Sequence, residues 1–127
     1  MKRSIMTMDE YGKVTVPDDT TEIWMNETEL AELFGVIVPT IRTGIKAVYK
    51  SGAVKAYEAE QYIQLDNDWS CDVFSLSMIV ALAFRIDSYG AKHVRDCLLE
   101  RMMHGQKEKT SIILLLNMGK GSRGFTS

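Results

Sequence analysis

Apolar residues in the first half of the chain recur at spacings of three and four, which is the period of a helix with one buried face. Leu30, Leu33 and Phe34 form such a stripe. Asn26 is a suitable N-cap just before it, and Glu29 three residues later completes a capping box. The pattern therefore predicts a helix that begins directly after Asn26.

A second helix is predicted to follow after a short turn. Gly35 suits the left-handed C-cap of the first helix, and Pro39 suits the first turn of the next one. The second helix is expected to end near Lys50, where Ser51 and Gly52 close it. Four of its residues are expected to face inward: Ile41, Ile45, Val48 and Tyr49. Two helices with a glycine in the turn between them are typical of a helix-turn-helix.

Short strands are predicted on both sides of the helix pair. Residues 4–8 and 13–16 contain β-branched positions around Gly12, which favours an N-terminal hairpin. Residues 22–25 alternate polar and apolar positions and indicate a third strand. After the helices, residues 62–65 and 69–74 are strand-like. The polar residues between these two segments suit a turn, so a second hairpin lies where a wing would be.

Two further helices are predicted toward the C-terminus. Ser75 is expected to cap a strongly apolar helix over residues 76–86, and Asp87 and Ser88 interrupt the pattern before a helix over residues 90–103. The fold class is therefore α+β: a winged helix-turn-helix with short N-terminal strands, a β-hairpin wing and two C-terminal helices. Residues 1–104 are expected to form this domain. Residues 105–127 are expected to form a flexible or partly ordered glycine-rich tail.

Composition restricts the functions that this fold can have. Hydrophobic residues make up 46% and charged residues 25% of the chain, as in ordinary globular proteins. The formal net charge is −2, so the chain as a whole is not a polyanion binder. Any contact with nucleic acid must rest on a local basic patch.

Catalytic, metal and membrane functions have little support in the sequence. Cys71 and Cys97 stand far apart without a second ligand at metal-binding spacing, and His93 and His104 have no nucleophile or carboxylate placed to assist them. We therefore expect no enzyme activity, metal, cofactor or small-molecule substrate. The longest apolar run, residues 78–84, is too short for the ~20 residues of a membrane span. Two lone thiols fit a reducing cytoplasm.

The local basic patch lies on the second predicted helix. Arg42, Lys46 and Lys50 recur every four residues, and residues 36–57 add Lys55 but contain no Asp or Glu. An acidic chain with its longest acid-free stretch on the presumed recognition helix has the charge pattern expected for contact with DNA phosphates and the major groove. The alternatives are an ordinary αα-hairpin or a solvated helix face, although such faces usually mix charges of both signs.

Each residue of the patch suits a particular DNA contact. Arg42 can make a bidentate contact with guanine. Thr40 and Thr43 can touch a phosphate or a thymine methyl group, whereas Lys46 and Lys50 suit phosphates, which set position and not sequence. The predicted DNA-binding residues are Thr40, Arg42, Thr43, Lys46, Lys50 and Lys55. Trp69, near the tip of the predicted wing, is interpreted as hairpin packing, with a sugar or partner contact as the alternative.

Two sequence blocks resemble a known family. Residues 22–36 read EIWMNETELAELFGV and are followed by Pro39-Thr40-Ile41 and Ile45-Lys46. This block resembles the N-terminal region of the bacterial RhuM (virulence-protein) family, which contains ELAELFGVSRPTI. Residues 74–88, FSLSMIVALAFRIDS, are similar to a later segment of that family and to the helical part of phage antirepressor-type (Bro-N) domains. The resemblance implies a bacterial DNA-binding protein that regulates transcription or a mobile element.

The chain departs from that family at defined positions. Ile37 and Val38 replace a Ser-Arg pair, Gly44 replaces a histidine, and Tyr89 and Gly90 replace two basic residues.

Double-stranded DNA is the expected partner, and a homodimer through residues 76–103 would present two copies of the motif to two half-sites. The alternative is a protein-interaction module that retains the helix-turn-helix without binding DNA, for which an exposed Ile37-Val38 pair would be a contact patch.

Overall fold

A computed structural model describes residues 2–104 of the chain. In these residues five helices accompany two small antiparallel sheets, which confirms the predicted α+β class. The elements in chain order are β1 (Thr7–Met8), β2 (Val14–Thr15), a 3₁₀ turn (Thr20–Glu22), β3 (Trp24–Met25), α1 (Glu27–Phe34), α2 (Val38–Ser51), α3 (Ala56–Ala59), β4 (Glu60–Gln64), β5 (Ser70–Ser75), α4 (Leu76–Ala83) and α5 (Tyr89–His104).

The N-terminal hairpin forms as predicted, with shorter strands. β1 pairs with β2 in antiparallel register, with Thr7 opposite Thr15. Its turn contains Gly12 at φ 85°, a left-handed conformation that glycine adopts without steric cost. The third predicted strand is reduced to two residues because Thr20–Glu22 folds into a 3₁₀ turn, whose N-cap Asp19 accepts a hydrogen bond from the Thr21 amide.

The start of α1 is held by the predicted capping box and by an arginine from the N-terminus. The Asn26 side chain accepts from the Glu29 amide, and the Glu29 carboxylate accepts from the Asn26 amide, both at 2.8 Å. Arg3 donates to both oxygens of that carboxylate, at 2.7 and 3.1 Å, and to the Trp24 carbonyl oxygen. The side-chain hydrogen bond to Glu29 raises the pKa of Arg3 above its ordinary value. These contacts tie the N-terminal segment to α1 and β3.

The turn between α1 and α2 is short and is closed by main-chain hydrogen bonds. Gly35 adopts φ 67° and ψ 38°, the predicted left-handed C-cap, and the Val36 amide donates to the Ala31 carbonyl at 3.0 Å. Pro39 lies in the first turn of α2, as predicted. Both helices bury the apolar faces expected from the sequence: Leu30, Leu33, Phe34, Ile41, Ile45 and Val48.

The second sheet has the strand order β3-β5-β4 and is antiparallel throughout. β4 and β5 form the predicted hairpin, in which Tyr62 lies directly opposite Asp72. Asp68 in its turn has φ 67°, and the Trp69 amide donates to the Asn67 side chain at 3.2 Å. The short helix α3 was not predicted. Its four residues are too few to show helical periodicity, although they bury Ala59 completely.

The two C-terminal helices form near their predicted positions, but two details of the prediction were wrong. Ser75 occupies the N-cap of α4 without bonding the helix backbone, because its hydroxyl pairs with the Ser77 hydroxyl at 2.8 Å. α4 ends at Ala83, three residues earlier than expected. Two carbonyl oxygens at and just after the end of α4 accept hydrogen bonds from a side chain of α5. Arg95 donates to the carbonyl oxygens of Ala83 (2.7 Å) and Ile86 (3.0 Å).

Two glycines allow helices to approach closely. A Cβ atom on Gly44 of α2 would lie 2.8 Å from the Leu82 side chain of α4. A Cβ atom on Gly90 of α5 would overlap the carbonyl oxygen of Leu33 and lie 2.5 Å from the carbonyl carbon of Phe34. Glycine at these two positions therefore has a packing reason in this chain.

α5 continues from one compact unit, residues 1–95, into a second unit that begins at Asp96. The structure describes residues 96–104 of the second unit, all in this helix. The tail predicted over residues 105–127 lies outside the described residues. Within residues 2–104, none of the helices combines the length and the hydrophobicity needed to cross a membrane.

Candidate nucleic-acid interface

One face of α2 is directed away from the core. The buried residues Ile41, Gly44, Ile45 and Val48 occupy one side of the helix. At about 100° per residue, the side opposite to them is centred between Lys46 and Lys50 and includes Thr43. All six residues predicted to bind DNA are exposed: Thr40, Arg42, Thr43, Lys46, Lys50 and Lys55.

Lys46 and Lys50 form a ridge of two cations one helical turn apart, which we call the lysine ridge. Among residues 2–104, no carboxylate is within ion-pair distance of either ammonium group. Lys50 also lies in the last turn of α2, where a positive charge interacts favourably with the helix dipole. The lysine ridge is therefore a positive surface that is open to an anionic partner.

Arg42 has a carboxylate partner that the sequence analysis did not anticipate. Its Nε donates to both carboxylate oxygens of Glu27, at 3.0 and 3.2 Å. The side chains are 61% and 30% exposed, so the pair adds little to stability. It does compensate the charge of Arg42. Both contacts use Nε, and no acceptor among the described residues bonds the two Nη groups, which are the donors a guanine contact requires.

The remaining predicted residues lie at the margins of this face. Thr40 lies on one flank of α2, on the side away from Arg42. Lys55 follows the Gly52 C-cap and is the N-cap residue of α3, so it belongs to the segment after α2 and not to the lysine ridge. The structure thus brings Thr43, Lys46 and Lys50 together on one surface, places Arg42 beside it, and separates Lys55 from it.

The hairpin next to α2 is acidic. Residues 56–84 contain no Lys or Arg, and their carboxylates are Glu58, Glu60, Asp66, Asp68 and Asp72. A hairpin of this composition repels phosphates. This acidic composition is visible in the sequence, but the wing was predicted only from the position of the hairpin after the two helices. Its charge became informative only when strand pairing placed it beside the helix pair.

A partly buried hydrogen bond links the hairpin to α2. The Tyr49 hydroxyl donates to a Glu60 carboxylate oxygen at 2.8 Å, linking the last turns of α2 to the start of β4. Burial, together with this hydrogen bond, raises the pKa of the Tyr49 phenol well above its ordinary value. Tyr49 thus faces inward as predicted, although it is only half-buried.

Other chemistry is sparse in the part of the chain that the structure describes. No group of three or more His, Cys, Asp or Glu side chains there is arranged to hold a metal ion. Cys71 and Cys97 are free thiols, and burial raises the pKa of Cys97 above its ordinary value.

No family model, curated protein or solved structure matches this chain. The resemblance to the RhuM and Bro-N families, drawn from residues 22–46 and 74–88, therefore stays a prediction.

Proposed function

We propose that this chain is a winged helix-turn-helix protein that binds double-stranded DNA through α2. The order strand, helix, three-residue turn, helix, one-turn helix and hairpin is compatible with that architecture, as is the pairing of β3 with the second strand of the hairpin. α2 has 14 residues and is about 21 Å long, which suits the major groove of B-DNA.

The lysine ridge is the observation that carries this proposal. Lys46 and Lys50 project opposite the buried face of α2 and lack carboxylate partners within residues 2–104. A helix that lies on DNA presents this outer surface to the phosphates and base edges. In the proposed complex both lysines contact phosphates, Thr43 lies between them and the base edges, and Arg42 reaches a base through its Nη groups.

The acidic hairpin restricts how DNA docks. Because residues 56–84 lack basic side chains, the hairpin is held away from the phosphate backbone and α2 supplies the contacts. With few phosphate contacts and a net charge of −2, binding is weak and sensitive to salt. A regulatory role in a bacterial cytoplasm is part of the proposal and rests on the sequence motifs.

A salt series with a random-sequence duplex tests the proposal. Fluorescence anisotropy between about 50 and 200 mM salt is expected to give a log–log slope near −2, since each of the two lysine–phosphate contacts contributes about −0.9. Absence of binding at the lowest salt contradicts the proposal.

Replacing Glu27 by Gln is expected to tighten duplex binding about fivefold to tenfold at about 0.1 M salt. The substitution removes a negative charge from the proposed interface and leaves Arg42 without its carboxylate partner, so one more uncompensated positive charge faces the DNA. The salt slope steepens by about 1. Glu32→Gln is the control, because Glu32 is an exposed carboxylate on the same helix and no described cation forms an ion pair with it. Equal affinities for the two variants would show that Glu27 does not mask Arg42.

The exposed Ile37 favours a second candidate function, a protein-interaction module. Its side chain is 68% exposed in the turn between α1 and α2, where the family that the sequence resembles has a serine. If the duplex does not bind at low salt, an Ile37-centred contact with a protein becomes the better proposal. The predicted homodimer through residues 76–103 is tested by sedimentation velocity of the full chain.

A further inference from the structure

A cleft of ≈ 460 Å³ lies between the first turn of α1 and the β4–β5 hairpin. We call it the hairpin cleft. α1 contributes Glu27 and Thr28, and the hairpin contributes Tyr62, Trp69 and Asp72 among its walls. Its volume falls within the range of protein sites that hold small groups. The lysine ridge on α2 is not part of its lining.

Two aromatic side chains of the hairpin cleft are left largely in water. Tyr62 is 74% exposed and Trp69 is 70% exposed. Aromatic rings of this size contribute most when they are covered, and an exposed pair along a cleft suits contact with a partner. Neither ring is needed to complete the core, which contains other residues of this hairpin, such as Val73 and Phe74.

The charged residues that line the cleft determine which ligand charge it favours. Glu27 and Asp72 line it, and no Lys, Arg or His does. Asp72 lies directly across the strand pair from Tyr62, so its carboxylate stands beside an aromatic ring on the same face of the sheet. Glu27 is already paired with Arg42, whereas Asp72 forms no ion pair within residues 2–104. The uncompensated Asp72 carboxylate disfavours phosphates and attracts a positively charged group.

We propose that the hairpin cleft binds an arginine side chain from a basic segment of a partner protein. A guanidinium group is planar and cationic, so it stacks on an aromatic face while donating hydrogen bonds to a carboxylate. Trp69 and Tyr62 supply the faces, and Asp72 supplies the acceptor. One lining carboxylate already accepts from a guanidinium group, since Arg42 donates to Glu27.

Titration of the full chain with a capped tetra-arginine peptide tests this site. The indole N–H resonance of Trp69, assigned by its loss in Trp69→Phe, is expected to shift and saturate. A capped tetra-citrulline peptide, which keeps the shape of arginine without its charge, is expected to leave the resonance unchanged. Asp72→Asn is expected to weaken peptide binding about tenfold, because it removes the charge-assisted hydrogen bond.

Asp18→Asn is the matched control, since Asp18 is exposed and lies outside the cleft lining. It is expected to bind the peptide as the parent does, and circular dichroism checks that both variants are folded. Equal binding of the citrulline peptide, or equal affinities of the Asp72 and Asp18 variants, overturns the proposal. A shift of the Trp69 resonance with protein concentration alone also overturns it and assigns the cleft to a second copy of the chain.

Discussion

Replacing Lys46 and Lys50 together by alanine is expected to weaken binding to duplex DNA about 50-fold at about 0.1 M salt. In the proposed complex each lysine of the ridge accounts for one phosphate contact, and each contact contributes about −0.9 to the log–log salt slope. The salt slope of the double variant is therefore shallower by about 2 than that of the parent. The difference in affinity between the parent and the variant becomes smaller as the salt concentration rises. Both side chains are exposed and alanine favours helices, so α2 itself is expected to remain folded. Fluorescence anisotropy across a salt series measures both quantities.

A control variant that loses two positive charges elsewhere on the chain distinguishes a local DNA contact of α2 from a general effect of net charge. Lys13 lies in the β1–β2 turn and Arg85 follows α4, and both are exposed. The Lys13→Ala/Arg85→Ala variant is expected to bind DNA within about twofold of the parent, because screened charges outside the contact surface contribute little. If the two double variants lose affinity equally, α2 is not the DNA-contacting element.

Gly90→Ala is expected to destabilise the fold by about 3 kcal/mol, the largest effect of any single methyl group considered for this chain. The new Cβ would overlap main-chain atoms at the end of α1, namely the Leu33 carbonyl oxygen and the Phe34 carbonyl group. These atoms cannot move independently, since the Ser88 hydroxyl donates to the Phe34 oxygen at 2.7 Å. Helix propensity alone would favour alanine by about 1 kcal/mol, so the expected sign is opposite to the local preference.

Thermal and urea unfolding measure this loss, and Gly52→Ala is the control. Gly52 has φ 78° with no atom within 4 Å of an added Cβ, so alanine there meets only the backbone cost of about 1 kcal/mol. Gly90→Ala is expected to lower the melting temperature by at least about 10 °C relative to the parent. A Gly90 variant as stable as the Gly52 variant would mean that α5 does not pack on the end of α1 as described.

Features that depend on a few neighbouring residues were predictable from the sequence. The capping box of Asn26 and Glu29, the left-handed Gly35 and the polar turn of the β4–β5 hairpin all form as expected. Each arises from contacts within about four positions, so residue type and spacing determine it. The exposed position of the lysine ridge was equally predictable, because helical periodicity separates Lys46 and Lys50 from the buried Ile41 and Ile45.

Distant contacts decided what the sequence left open. Glu27 reaches Arg42 because the turn folds the start of α1 against α2, a meeting that no local pattern encodes across fifteen positions. The reason for glycine at position 90 also came only from the approach of α5 to α1, where a side chain does not fit. The pairing of β4 with β5 likewise placed Asp72 opposite Tyr62. The sequence thus determined the helices and their cationic face through short-range interactions, whereas the crossing of helices and strands decided which charges remain uncompensated.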